Sequence, residues 1–159
     1  MKCNLTKKII LWGGTGQAKV IRPIVEYYNS TIDAVFDDTP NLKSPFDDIK
    51  LYHGYKDFLE YKKNIKEEIG FIVTIGNNKT TNNQQARIKI SNLLKKAGLL
   101  PITIVHPTAF VDSNVEIGEG VQISAGANII SESKIGNYCI IKRYIISYAK
   151  RRVHVYAYA

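Results

Sequence analysis

In the last third of the chain an aliphatic residue recurs every six positions, with small or β-branched residues four positions after each. The aliphatic series is Val105, Val111, Ile117, Ile123, Ile129, Ile135 and Ile141. A hexapeptide period is typical of a parallel β-helix, in which each repeat forms one face of a coil and the aliphatic residue points inward. The pattern therefore predicts a short left-handed parallel β-helix over residues 104–141, followed by an atypical tail over 142–159.

Before the repeats, apolar runs with strand length alternate with segments of helical spacing. Such alternation with short connections is typical of a parallel sheet that carries helices on its faces. The sequence therefore predicts the α/β class, with a small Rossmann-like domain over residues 1–103. The predicted strands are Lys8–Trp12, Thr31–Phe36, Lys50–Tyr52, Ile69–Ile75 and Ile102–Val105, and the predicted helices are Gln17–Tyr28, Tyr55–Ile65 and Thr80–Ala97.

The helices carry three more detailed expectations. Pro23 is expected within the first turns of its helix, because proline lacks the N–H that a helix interior needs. Phe58 and Leu59 are expected to face inward. In the third helix one apolar stripe is expected to face the sheet, formed by Ala86, Ile90, Leu93, Leu94 and Ala97.

Three unusual loops follow predicted strands: Gly13-Gly14-Thr15-Gly16-Gln17, Asp37-Asp38 and Gly76-Asn77-Asn78. The carboxyl ends of parallel strands share one edge of a sheet, and ligands bind there at a topological switch point. The convergence of three loops on one edge predicts a binding site formed by Gly13, Gly14, Thr15, Gly16, Gln17, Asp37, Asp38, Gly76, Asn77 and Asn78.

Each loop has a ligand-binding and a purely structural interpretation. Glycines before a helix let backbone N–H groups reach phosphate oxygens, although Ala18 and Lys19 stand where a dinucleotide fingerprint has its third glycine. Alternatively this is a tight turn without a ligand. An acid after the second strand commonly accepts a hydrogen bond from a ribose or base, or it is a solvated turn. Asn77 or Asn78 contacts phosphate or sugar, or caps a helix.

The composition argues against several other classes of function. Of a net charge of +8, five charges fall in residues 142–159, and that tail also holds four of the ten tyrosines. A basic aromatic tail without a motif is weak evidence for nucleic-acid binding, so no nucleic-acid partner is expected. No stretch approaches the ~20 apolar residues of a membrane span, and the chain is expected to be cytoplasmic. Cys139 occupies a packing position, and the histidines (His53, His106, His154) lack the neighbours of a metal or nucleophile site.

The ordered set Phe36-Asp37-Asp38, Ile75-Gly76-Asn77-Asn78, Ile104-Val105-His106-Pro107-Thr108-Ala109 and the hexapeptides resembles bacterial sugar acetyltransferases that modify bacillosamine, perosamine or sialic acid. The likeness covers residues 7 to about 141. It implies that the first domain binds a nucleotide-linked amino sugar, with UDP as the expected nucleotide. It also implies a homotrimer that holds acetyl-coenzyme A between β-helix coils, and a histidine that acts as general base.

The tail departs from this family pattern. The family histidine should fall near residue 149, where this chain has Ala149, and Arg151 stands where a small inward residue is expected. Gln17 replaces a histidine that is usual in the glycine-rich loop. No catalytic residue is therefore predicted, and the tail is expected to be truncated or read in a shifted frame relative to the family.

The sequence thus predicts a sugar acetyltransferase by descent that binds its nucleotide sugar without appreciable acetyl transfer. A non-catalytic nucleotide-binding or assembly module is the main alternative. A dehydrogenase-like protein is supported only by Gly13–Gly16 and Asp37. The hexapeptide repeats argue against it, because a dehydrogenase has no need of them.

Overall fold

A computed structural model describes residues 5–76 and 83–142, together with the backbone of residues 146–147 and 152–153. The chain divides into two compact units, Leu5–Pro101 and the part that begins at Ile102. Asn77, Asn78 and Ala149 lie outside the described residues, as do Cys3, Arg151 and His154.

The first unit is a five-stranded parallel sheet with strand order β3-β2-β1-β4-β5. Because the order runs outward from β1 in both directions, the chain reverses its direction of winding beside β1, at the boundary with β4. The strands are β1 Lys8–Trp12, β2 Thr31–Asp37, β3 Leu51–His53, β4 Ile69–Val73 and β5 Leu100–Pro101, and the helices are α1 Gly16–Tyr27, α2 Gly54–Lys63 and α3 Gln84–Lys96.

One face of this sheet carries an aromatic core against α2 and α3. The rings of Trp12 and Phe36 stack with centroids 5.5 Å apart, and Phe58 from α2 meets both rings edge-on. Ile90 and Leu94 from α3 complete the same cluster. Buried aromatic side chains contribute large apolar areas, so this packing fixes α2 and α3 on the sheet.

Helix α1 runs through Pro23, which was expected only in its first turns. The eighth residue of a twelve-residue helix is a mid-helix position, so that expectation is wrong. Pro23 lies on the exposed side, where water can satisfy the carbonyl that loses its N–H partner. The opposite side of α1 is apolar and buried, at Ala18, Ile21, Ile24 and Val25.

The inward faces of α2 and α3 differ from the predicted ones. Leu59 is 43% exposed, and only Phe58 of the two residues in α2 is buried. In α3, Ala86 is exposed, and the inner face carries Arg87 instead, which is fully buried beside Ile90 and Leu94. An apolar-only stripe missed Arg87, whose Nη1 donates to the Ile75 carbonyl twelve positions earlier in the chain.

The predicted strand Ile102–Val105 is also divided differently. Leu100–Pro101 pairs with β4 and completes the first sheet, whereas Ile104–Val105 forms β6 and pairs with Gln122–Ile123 of the repeats. Pro101 at the edge of the sheet donates no ladder hydrogen bond, which suits a strand with a neighbour on one side only.

The second unit is a parallel β-helix built from two-residue strands. Asn128 pairs with Phe110 and Ile140 with Gln122, so each coil takes 18 residues. The three faces are the sheets β13-β10-β7, β14-β11-β8 and β12-β9-β6. Their strands are β6 Ile104–Val105, β7 Phe110–Val111, β8 Glu116–Ile117, β9 Gln122–Ile123, β10 Asn128–Ile129, β11 Lys134–Ile135, β12 Ile140–Ile141, β13 Ile146–Ser147 and β14 Arg152–Val153.

The interior of this β-helix consists of the six-residue series and its small companions. Ile123, Ile129 and Ile141 are buried, together with Val121, Ala127 and Cys139. The strand rhythm also continues past Ile141, because β13 pairs with β10 and β14 pairs with β11 in the same parallel register. The backbone at Ile146–Ser147 and Arg152–Val153, which the sequence assigned to an atypical tail, thus follows the β-helix geometry.

Four successive corners of the coils, spaced six residues apart, use the left-handed backbone conformation. Gly120 and Gly126 have φ values of +66° and +68°, and Glu132 and Tyr138 take the same conformation at +62° and +58°. Side chains other than glycine carry a steric cost there. Tyr138 lies over Gly120 of the preceding coil, where an added Cβ would stand 2.5 Å from its ring.

Replacement of Glu132 by glycine is expected to raise the free energy of unfolding by about 0.5–1 kcal/mol, because relief of the left-handed strain exceeds the added chain entropy. Chemical denaturation measures this change. Ala125→Gly is the matched control, since Ala125 is an exposed corner residue without a positive φ. Glycine there adds only chain entropy and should cost about 0.5–1 kcal/mol. An equal loss at both positions would contradict the assignment of strain to Glu132.

Candidate functional site

Gly13 is held between two neighbouring strands at the end of β1. Its N–H donates to the Phe36 carbonyl at 2.7 Å, and the Thr74 hydroxyl donates to its carbonyl at 2.7 Å. Its φ is +119°, and an added Cβ would stand 2.7 Å from the carbonyl carbon of Thr74. Only glycine fits this place, because both the backbone conformation and the space exclude a side chain.

Asp37 clamps the second glycine of the turn. Its Oδ2 accepts the Gly14 N–H at 2.7 Å, and its Oδ1 accepts the Thr39 N–H at 2.8 Å. The N–H groups of both Gly13 and Gly14 therefore already have acceptors within the protein. The expectation that these two glycines present their N–H groups to phosphate oxygens does not fit this geometry.

The donors that remain in the loop lie one step further along the chain. Thr15 and Gly16 are exposed, and among the described residues no carbonyl or side chain accepts their N–H groups. Helix α1 begins at Gly16, and the Thr15 side chain makes no capping hydrogen bond. Two N–H groups and a hydroxyl at a helix N-terminus form an arrangement suited to an anion.

Asp38 differs from its neighbour Asp37 in having no hydrogen bond or ion pair within the described part of the chain. Its carboxylate is exposed and lies beside the first turn of α2, with Oδ1 3.7 Å from the position of a Cβ at Gly54. The carboxylate is therefore available as an acceptor at the carboxyl edge of the sheet.

Gln17 and Gly76 bring the glycine turn and the end of β4 together. Gln17 is 6% exposed, and its Cβ stands 3.6 Å from the position of a Cβ at Gly76. The Gly76 carbonyl accepts a hydrogen bond from Asn83 Nδ2 at 2.7 Å. The first and third predicted loops thus meet at the boundary between β1 and β4, where the winding direction reverses.

Two residues at this edge were missed by sequence reasoning. His53 lies opposite Asp37 in the register of β2 and β3, with Nδ1 3.1 Å from the Thr39 carbonyl. The sequence did contain a signal, because a histidine that directly follows a short predicted strand must reach the same edge. Arg87 is fully buried and donates from Nη1 to the Ile75 carbonyl at 2.9 Å, and polarity alone gave no indication of its position.

Arg22 fixes the loop between β2 and β3 to helix α1. Its guanidinium makes a bidentate pair with Asp48 at 2.6 and 2.7 Å, bonds Glu26 at 2.7 Å, and lies over the Phe46 ring. The hydrogen bonds to Asp48 and Glu26 raise the pKa of Arg22, and the hydrogen bond from Arg22 lowers the pKa of Asp48. Leu42 of this loop lies against Gly14, 3.1 Å from the position of a Cβ there.

A concavity of about 840 Å³ lies at the other edge of the sheet, near the amino ends of the strands. Its lining includes Lys8, Asp33 and Tyr61, and none of the predicted site residues. The Tyr61 hydroxyl donates to Asp33 at 2.5 Å, and burial together with this bond raises the pKa of Tyr61. Several polar groups of the concavity bond one another, among them Lys8 and Glu67 at 2.6 Å, so its volume alone does not make it the stronger candidate binding site.

The β-helix supplies little reactive chemistry in its described part. His106 Nδ1 accepts the Thr108 N–H at 3.2 Å, which is a local turn contact. The described residues contain no cluster of three histidine, cysteine or acidic side chains that could hold a metal ion. Nor does any described helix combine the length and apolar character that crossing a bilayer requires.

The family model of the PglD N-terminal domain matches residues 8–88, which is slightly more than half of the chain. No curated protein is significantly similar to the chain in sequence. Solved structures do match its fold over nearly its full length.

PerB from Caulobacter crescentus, in a crystal structure with CoA and GDP-perosamine, is 25% identical with a TM-score of 0.73. The alignment covers 96% of this chain and 67% of PerB. A mutant of GDP-perosamine N-acetyltransferase from the same organism is 24% identical with a TM-score of 0.76, over the same shares of both chains. The acetyltransferase domain of PglB from Neisseria gonorrhoeae is 16% identical with a TM-score of 0.73, over 94% of this chain and 69% of that one.

These matches confirm the predicted fold class, a small parallel α/β sheet followed by a left-handed parallel β-helix. They also confirm the predicted relationship to bacterial sugar acetyltransferases. The family match begins at the first residue of β1 and extends into α3, so it contains the glycine turn, Asp37, Asp38 and Gly76. The chain therefore belongs to the PglD N-terminal domain family of sugar acetyltransferases.

Proposed function

We propose that the Leu5–Pro101 unit binds a nucleotide-linked sugar at the carboxyl edge of its sheet. The observation that carries this proposal is the convergence of the glycine turn, the Asp37–Asp38 loop and Gly76 beside the reversal of winding next to β1. Open α/β sheets bind their ligands at that place. Asn77 and Asn78 follow Gly76 in sequence and belong to the proposed site.

Within this site, the diphosphate is assigned to Thr15 and Gly16. Their N–H groups and the Thr15 hydroxyl are available at the start of a twelve-residue helix, whose dipole favours negative charge. The exposed Asp38 carboxylate is assigned to a donor of the nucleoside, either a ribose hydroxyl or a base N–H. Asp37 holds the turn in shape and does not contact the ligand directly. Gln17, buried against Gly76, sets the floor between the two loops.

The reaction proposed for this lineage is acetyl transfer from acetyl-coenzyme A to an amino group of the bound sugar. The support is the fold match to acetyltransferases, two of them crystallised with CoA and GDP-perosamine. The sugar nitrogen attacks the thioester carbonyl and loses a proton to a base, while the carbon–sulfur bond breaks and coenzyme A leaves as the thiol. The resemblance places that base at residue 149, which is Ala149 in this chain. We therefore propose substrate binding without appreciable transfer, by a cytoplasmic protein that forms trimers through its β-helix.

Isothermal calorimetry with the 159-residue chain tests the binding step. We expect UDP or GDP to bind with a Kd below about 1 mM, and NAD to show no binding. UDP is the nucleotide expected from the resemblance, whereas GDP-perosamine is the sugar nucleotide held by PerB, so both are titrated. Asp38→Asn should weaken binding of the preferred nucleotide, because an amide replaces one acceptor oxygen with a donor.

Failure of both diphosphates to bind, or a preference for NAD, would refute the proposed site. The transfer step is tested separately, by following release of the CoA thiol from acetyl-coenzyme A with GDP-perosamine as acceptor. Sustained thiol release that depends on the sugar would contradict the proposal that this chain lacks transfer activity.

A further inference from the structure

A continuous chain of hydrogen bonds leads from helix α2 to the glycine turn. His53 donates its backbone N–H to Asp57 Oδ2 at 3.1 Å, and its ring Nδ1 lies 3.1 Å from the Thr39 carbonyl. Thr39 in turn donates its N–H to Asp37 Oδ1, and Asp37 Oδ2 accepts the Gly14 N–H. His53 is therefore linked to Gly14 through Thr39 and Asp37.

The Thr39 carbonyl accepts from the His53 ring at 3.1 Å and, more distantly, from the Leu42 N–H at 3.4 Å. Because the next residue is Pro40, the peptide group that contains this carbonyl has no N–H donor, so it can be held only through the carbonyl. Since a carbonyl only accepts, His53 Nδ1 must carry the hydrogen, which fixes the tautomer of the neutral ring. The ring thereby restrains the peptide group on one side of Thr39, and Asp37 holds the peptide group on the other side.

The backbone around His53 keeps this ring in place. Asp37 and His53 are partners in the parallel register of β2 and β3. Gly54, with φ of +72°, turns the chain directly into α2, and Asp57 caps that turn. The imidazole thus projects from the end of β3, where the backbone is held by pairing with β2 and by the bond to Asp57.

We propose that His53 is a positioning residue of the nucleotide-sugar site, one that orients Thr39 and Asp37 so that the Gly14 turn keeps its shape. This inference rests on the proposed function, because it assigns the shape of the turn a role in holding that ligand. His53 acts by donating from Nδ1, at the distance of the first ring nitrogen from the backbone, and charge on the ring is not required.

Three variants of the full 159-residue chain separate this role from general packing. In His53→Asn the side-chain amide nitrogen stands near the place of Nδ1 and can donate to Thr39. In His53→Gln the amide lies one carbon further out, near the place of the other ring nitrogen. His53→Ala removes the donor. Amide hydrogen exchange of Gly14 and Thr39 is measured by NMR without ligand, and the Kd for UDP and GDP is measured by calorimetry.

We expect His53→Ala and His53→Gln to raise both exchange rates and the Kd by about tenfold, and His53→Asn to stay close to the wild type. Unchanged exchange and binding in His53→Gln would overturn the inference, as would equal losses in all three variants. If the wild-type chain binds neither UDP nor GDP, the proposed function fails. The exchange rates of the ligand-free variants then still decide whether His53 positions the turn.

Discussion

Replacement of Gly13 by alanine is expected to lower the free energy of unfolding by about 3 kcal/mol or more. The φ of +119° lies outside the range that an L side chain tolerates, and the new Cβ would stand 2.7 Å from Thr74 backbone atoms. Relief requires β1 and β4 to separate at the switch point, which would disturb the sheet that carries every site loop. Chemical denaturation of the purified variant measures the loss.

Gly16→Ala is the matched control for this substitution. Gly16 has no atom within 4 Å of its added Cβ and no positive φ, and it opens helix α1. Alanine there should leave stability unchanged or raise it by up to about 1 kcal/mol. Similar losses for both variants would mean that the turn is not held by close approach at Gly13.

Replacement of Asp37 by asparagine is expected to cost about 2 kcal/mol of stability and to abolish measurable nucleotide binding. The carboxylate accepts two backbone N–H groups, one on each oxygen. An amide presents its NH2 group to one of those donors, so one charge-assisted bond is lost and two donors face each other. The Gly14 turn should then open. Denaturation and calorimetry on the same preparation measure the two effects.

Asp38→Asn makes the same chemical change at the next residue. Asp38 is exposed and, within the described contacts, makes no hydrogen bond, so its stability change should stay within about 0.5 kcal/mol. We expect Asp38→Asn to weaken nucleotide binding without a loss of stability, whereas Asp37→Asn should lose both binding and stability. If Asp37→Asn is as stable as the wild type, the clamp has no energetic role.

The features that sequence reasoning predicted well are those with a local signature. β1 has the predicted bounds, since an apolar run ending in glycines defines both ends. The six-residue period predicted the strand positions of the β-helix because each inward aliphatic marks one strand. The identity of Gly13 also follows from a local rule, namely that a tight turn after a strand favours glycine.

What could not be predicted depends on partners that are distant in sequence. Sequence alone favours a ligand contact for Asp37, because Gly14, whose N–H it accepts, lies 23 positions earlier in the chain. The predicted apolar stripe omits Arg87, because its acceptor, the Ile75 carbonyl, lies in the segment after β4, twelve positions earlier in the chain. Leu59 was placed inward by helical spacing alone, whereas the packing of Phe58 against Trp12 and Phe36 rotates α2 so that Leu59 is exposed.

The turn at Gly13 and Gly14 is held by three of the protein's own groups, namely the Phe36 carbonyl, the Thr74 hydroxyl and the Asp37 carboxylate. Its conformational entropy is therefore lost when the sheet folds, and a ligand does not have to order it. Affinity at such a preorganised site is coupled to fold stability, because any change that loosens the turn transfers the ordering cost to the binding step. Sequence drift that preserves every ligand contact could thus still weaken recognition by destabilising the sheet beneath it.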